Sequence, residues 1–220
     1  MSSLLQSALI LGVSTLALAS VIPCANQVAL EAVVAGGSVV PSGFWQIYQQ
    51  DTQRSTNLFP NAPNGTATFA VSQGDGATNK LDLIATFTNI PKGQGPYTIK
   101  FIYSNPARAG YRSEGVDDIY TYAVTGALPT KKIGNTVQPF PTWDNVAKLK
   151  GSQIGTFHLP RSDEDPTHIH TITINSVTWS STISLRFSIS SDKTKAGVVR
   201  WSQNNDIVGF VPGLIITYGG

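Results

Sequence analysis

Leu81-Asp82-Leu83-Ile84-Ala85-Thr86-Phe87 alternates along its length, with Leu81, Leu83, Ala85 and Phe87 falling on one face. That period of two belongs to a β-strand, whose successive side chains point to opposite sides; a helix would repeat about every 3.6 residues. Tyr97-Thr98-Ile99-Lys100-Phe101-Ile102-Tyr103 repeats the pattern with its odd-numbered residues, and residues 66–71 alternate until Gly74-Asp75-Gly76 stops them. Working outward, further strands are predicted at 44–49, 119–125, 154–159, 167–179, 183–189, 198–201 and 207–218. β-Branched and aromatic residues dominate these runs, as a pleated, half-buried surface prefers. Gly, Pro, Asn, Asp and Ser clusters separate them, which is turn chemistry. Residues 143–150 (WDNVAKLK) read as about two helical turns lying across one end of a sheet. Eight or more strands at this spacing imply an all-β fold, an antiparallel two-sheet sandwich of Ig-like or jelly-roll-like type. Strand order is not legible in the sequence.

The 220 residues suit one domain plus a leader, and a chain of this length buries a sizeable core without staples. Charged residues make up 13% and the formal net charge is +2. Nucleic-acid binding rests on clustered Lys and Arg, so this balance argues against that partner. The lone cysteine, Cys24, has no internal partner for a disulfide, so packing alone must hold the domain.

Residues 4–19 (LLQSALILGVSTLALA) form an apolar stretch ending in Ala17-Leu18-Ala19, the small-x-small pattern of a signal-peptidase site. It is shorter and less apolar than the roughly 20 residues of a membrane span. Residues 1–19 are therefore predicted to be a signal peptide cleaved after Ala19, which leaves no stable span. Residues 20–43 read as a linker, a short pro-segment or a first strand, with the ordered sandwich at 44–220. The sequon Asn64-Gly65-Thr66 predicts a surface turn and, in a eukaryotic secretory pathway, an N-glycan.

Three features bear on chemistry. His168 and His170 sit two apart in an apparent strand, on one face. His158 lies on the preceding strand, with Asp163, Glu164 and Asp165 in the presumed connecting hairpin. Such a set holds zinc or copper if three groups converge; otherwise it is a polar edge hairpin with solvated histidines. Asp117-Asp118 are paired carboxylates with no second acid to divide the work of glycoside hydrolysis, and adjacent aspartates in a turn point apart. Trp45, Tyr48, Tyr120, Tyr122, Trp143, Trp179 and Trp201 would make a sugar-stacking platform if exposed in a row, and core filling if not. No Gly-x-Ser-x-Gly elbow or phosphate loop occurs. The chain is thus expected to be non-catalytic and to need no cofactor.

Residues 68–76 (TFAVSQGDG), 83–91 (LIATFTNIP), 154–157 (IGTF), 183–191 (ISLRFSISS), 197–199 and 213–218 (GLIITY) resemble a fungal family, the ubiquitin-3-binding-protein C-terminal domain of But type. The resemblance implies a secreted fungal β-sandwich, with Trp179 standing where members carry a cysteine. It implies no catalytic residues. Its name points to a ubiquitin-like pathway, which a secreted chain would not meet. The expected role is extracellular, at the cell surface or wall, with a wall glycan or an extracellular protein as partner. The alternatives are a metal-binding protein or metalloenzyme on His158, His168 and His170, and an intracellular module for a ubiquitin-like pathway component.

Overall fold

A computed structural model describes residues 36–58, 66–103, 112–159, 169–204 and 213–219. The leader with Ala19, Cys24, the sequon at Asn64, and His168 lie outside them. The strands are β1 (Gly37–Val39), β2 (Gly43–Tyr48), β3 (Ser55–Asn57), β4 (Thr66–Gly74), β5 (Thr78–Thr88), β6 (Tyr97–Tyr103), β7 (Arg112–Gly115) and β8 (Ile119–Val124). They continue as β9 (Thr130–Ile133), β10 (Thr136–Pro139), β11 (Lys150–Phe157), β12 (His170–Val177), β13 (Thr182–Ile189), β14 (Gly197–Asn204) and β15 (Gly213–Tyr218). Among the described residues one α-helix, α1 (Trp143–Ala147), stands between β10 and β11, and a single 3-10 turn, Asp75–Ala77, joins β4 to β5. The α-helix is too short to cross a membrane, and no described helix is long and apolar enough to do so.

A four-stranded sheet runs β1-β15-β6-β12, and a nine-stranded sheet runs β11-β8-β13-β5-β4-β14-β7 with β2 also beside β5 and β3 beside β2. Every pairing in both is antiparallel. The strand at the centre of the larger sheet is β5. It pairs β13 along one edge and, along the other, β2 and then β4.

The alternation that opened the sequence reading sets the core. Leu83, Ala85 and Phe87 of β5 meet Tyr97, Ile99, Phe101 and Tyr103 of β6 in one apolar cluster between the sheets. Phe101 of the smaller sheet stacks on Phe157 at 5.5 Å and meets Trp201 edge-on at 5.5 Å, which ties the two layers by aromatic packing. Truncating such a ring costs about 3 to 5 kcal/mol.

Two boundaries differ from the sequence reading. The sandwich begins before Phe44: of the readings open for residues 20–43, Gly37–Val39 is a first strand, an edge strand paired with β15 from Gly37↔Tyr218 to Val39↔Ile216. Three residues are too few to show alternation; backbone pairing with β15 and the packing of Val39 against the core place them. Nor is the passage from β11 to β12 a hairpin. β11 pairs β8 in the larger sheet and β12 pairs β6 in the smaller, so the chain crosses between layers. Hairpin and crossover have the same local sequence; long-range pairing decides between them.

Candidate functional site

The even-numbered residues of β5 point away from the smaller sheet, and so do their neighbours on β13 and β8. Register sets Arg186 opposite both Ile84 and Tyr122, and Ser184 opposite Thr86 and Val124. This outer face has a small apolar cluster of its own, Trp45, Ile47, Ile84, Val124 and Val146, with Trp143 and Leu149 against it. Val146 is supplied by α1, which a capping box starts: Asn145 N–H donates to Thr142 Oγ1 at 3.4 Å and Thr142 N–H to Asn145 Oδ1 at 2.7 Å. Gln53 Nε2 donates to Asp144 Oδ2 at 2.6 Å and pins the helix to the loop after β2.

On one side of that cluster lies a charged cavity of about 220 Å³, lined by Lys80, Asp82, Tyr122, Trp143, Lys150 and Arg186 among others. Arg186 Nε donates to Asp82 Oδ2 at 2.7 Å, and both side chains are buried. The second oxygen, Asp82 Oδ1, is buried with no donor among the described residues. Lys80 Nζ donates to the Ile189 carbonyl at 3.1 Å. The Arg186 guanidinium lies 4.6 Å over the Trp143 ring and the Lys150 ammonium 3.8 Å over Tyr122, so each cation leans on an aromatic face.

Three cations thus face one carboxylate. Burial pushes the Lys80 ammonium below its ordinary value of 10.5, Asp82 pulls it back, and the Lys150 and Arg186 charges add to the depression. Burial and Arg186 lower Lys150 in the same way. Burial raises the Tyr122 hydroxyl above 10.0, opposed by a hydrogen bond with Ser191.

At the other end of the same strands is a groove of about 720 Å³. Thr86 and Ser184 share a hydrogen bond of 2.9 Å on its floor, with Thr88 and Thr182 beyond them. Apolar walls come from both sides of the larger sheet: Trp45, Val124 and Leu128 outside, Ile154, Val177 and Ile183 toward the smaller sheet. None of the described residues lining it is charged. The Trp45 indole N–H is buried without an acceptor among the described residues.

The residues singled out from sequence fall elsewhere. His158 is exposed between buried Phe157 and Leu159, so its ring points away from the core. His170 stacks on buried Tyr103 with ring centres 5.0 Å apart. Among the described residues no three His, Cys, Asp or Glu side chains gather as a metal site. Asp117 accepts from Ser113 Oγ at 3.0 Å, and the Asp118 carbonyl accepts from Ser190 N–H at 2.9 Å. The aromatics do not form a row. Trp45 and Trp201 are buried, Trp179 donates to the Ile90 carbonyl at 3.1 Å, and Tyr122 and Trp143 wall the charged cavity.

Lys80, Asp82 and Arg186 carried no weight in the sequence, because a charge at an alternate strand position reads as solvated surface. A usable signal was present: Asp82 and Arg186 are lone, opposite charges within LDLIATF and ISLRFSIS. Comparison with protein-family models and with curated proteins finds no match to this chain.

Proposed function

We propose that this protein is an extracellular, non-catalytic binding protein and that the uncharged groove holds a neutral glycan chain. The groove itself carries the reading: about 720 Å³ with no charged lining residue among those described, a floor of hydroxyls and walls of apolar side chains. A neutral polysaccharide presents the complement, hydroxyls along its edges and C–H faces above and below. Trp45 adds an aromatic surface to one wall. Binding sites commonly combine such an apolar lining with a few placed polar groups. The apolar leader ending at Ala19 and the But-type resemblance support the extracellular part.

Two experiments test this. Protein recovered from culture medium should begin at Ser20, and protein retained in cells with Met1 intact overturns the extracellular reading. Purified protein should be retained on at least one of chitin, β-glucan and cellulose, and Ala127→Trp, which fills the groove from an exposed loop position, should abolish retention. Failure on all three polymers, or retention unchanged by Ala127→Trp, overturns the glycan reading.

A further inference from the structure

The charged cavity is a second site, independent of the groove, and we propose that it binds a small hydroxy-carboxylate, such as a single sugar acid. The first reason is charge. In a chain with only 15 Lys and Arg, three of them, Lys80, Lys150 and Arg186, converge on one cavity from three different strands. Asp82 neutralises one, and its Oδ2 is committed to Arg186 Nε. Like charges held together in a partly buried space repel one another, and an anion entering between them relieves this. Lys80 spends one of its three donors on the Ile189 carbonyl, which leaves two to turn toward a ligand.

The second reason is the rest of the wall. Gln49, Ser188, Ser191 and Tyr122 surround the cations with amide and hydroxyl groups, which suit a ligand that carries hydroxyls beside its carboxylate. Trp143 and Tyr122 back Arg186 and Lys150 with their ring faces, which holds both cations at the cavity wall. The third reason is size: about 220 Å³ is below the roughly 300 to 1,000 Å³ of drug-sized sites, so the cavity takes one small unit. The polar cluster is also not closed on itself, since Asp82 Oδ1 is buried without a donor among the described residues, a condition that buried carboxylates rarely keep. Lys150 is exposed at the rim and positioned to meet an arriving carboxylate first.

Calorimetric titration of the full chain with glucuronate, glucose and inorganic phosphate tests the proposal. Glucuronate should bind and glucose, equal in size but uncharged, should not. Lys150→Gln should weaken glucuronate by about tenfold or more, the loss expected of one charge-assisted hydrogen bond. Because Lys150 is exposed, that variant keeps the fold; Lys80→Gln is the second variant, with the same loss expected. Ala127→Trp should leave glucuronate binding unchanged, which separates this site from the groove. A trimeric uronide binding more tightly than glucuronate identifies the end of an acidic glycan as the source, and equal binding identifies a free sugar acid. The proposal is overturned if glucuronate gives no binding, if Lys150→Gln binds it as well as the parent, or if phosphate binds as tightly as glucuronate.

Discussion

The charged cavity and the uncharged groove are built from the same two strands. Along β5 the outer-face residues run Lys80, Asp82, Ile84, Thr86, Thr88, and along β13 they run Ser188, Arg186, Ser184, Thr182 in the opposite direction. Ions therefore gather at one end and hydroxyls at the other, with Ile84 under α1 between them. The two ends satisfy their polar groups differently. Thr86 and Ser184 share one neutral hydrogen bond. Asp82 and Arg186 are buried ions, and the cost of desolvating them offsets much of their mutual attraction. The hydroxyl end is neutral and keeps hydrogen-bonding capacity beyond that one bond, whereas the ionic end keeps surplus positive charge.

The largest effect expected to break this contrast is that of Asp82→Ala. It leaves Arg186 buried and unpaired, and urea denaturation should register a loss of about 3 to 5 kcal/mol. The double replacement Asp82→Leu with Arg186→Met should recover most of that loss, because it removes both charges together. At the hydroxyl end, Thr86→Val keeps the shape and removes one neutral bond, with an expected loss of about 1 kcal/mol.

The smallest effect is one of pH. Lys80 and Lys150 have folded values below 10.5, so the unfolded chain binds more protons between those values and 10.5. Stability should therefore rise with pH through that window. Tyr122 acts oppositely: with its hydroxyl raised above 10.0, stability should fall as pH climbs from there toward its folded value. Denaturation midpoints followed across this range should show a rising arm that Lys80→Gln flattens and Thr86→Val leaves in place.

How much of this was legible depends on the range of the interaction. Leu83, Ala85 and Phe87 announce their face because alternation is local, and the strands at 97–103 and 183–189 appear within a residue of where their pattern puts them. Trp143–Ala147 is a helix within WDNVAKLK, since its capping residues are neighbours in the chain, but it is shorter than the two turns expected and Lys150 already belongs to β11. By contrast β7, β9 and β10, of four residues each, lack enough alternation to be recognised.

The sequence alone therefore determined the fold class and which face of each long strand is apolar, because period two is written in adjacent residues and burial follows from it. Tertiary structure decided everything that depends on register between distant strands. It sent β11 and β12 to different sheets, and it drew Arg186 across 104 positions to Asp82. It also set three cations around one carboxylate. A charge on a strand reads locally as solvated, and only the strand and helix that come to cover it determine whether it meets water, a partner or a ligand.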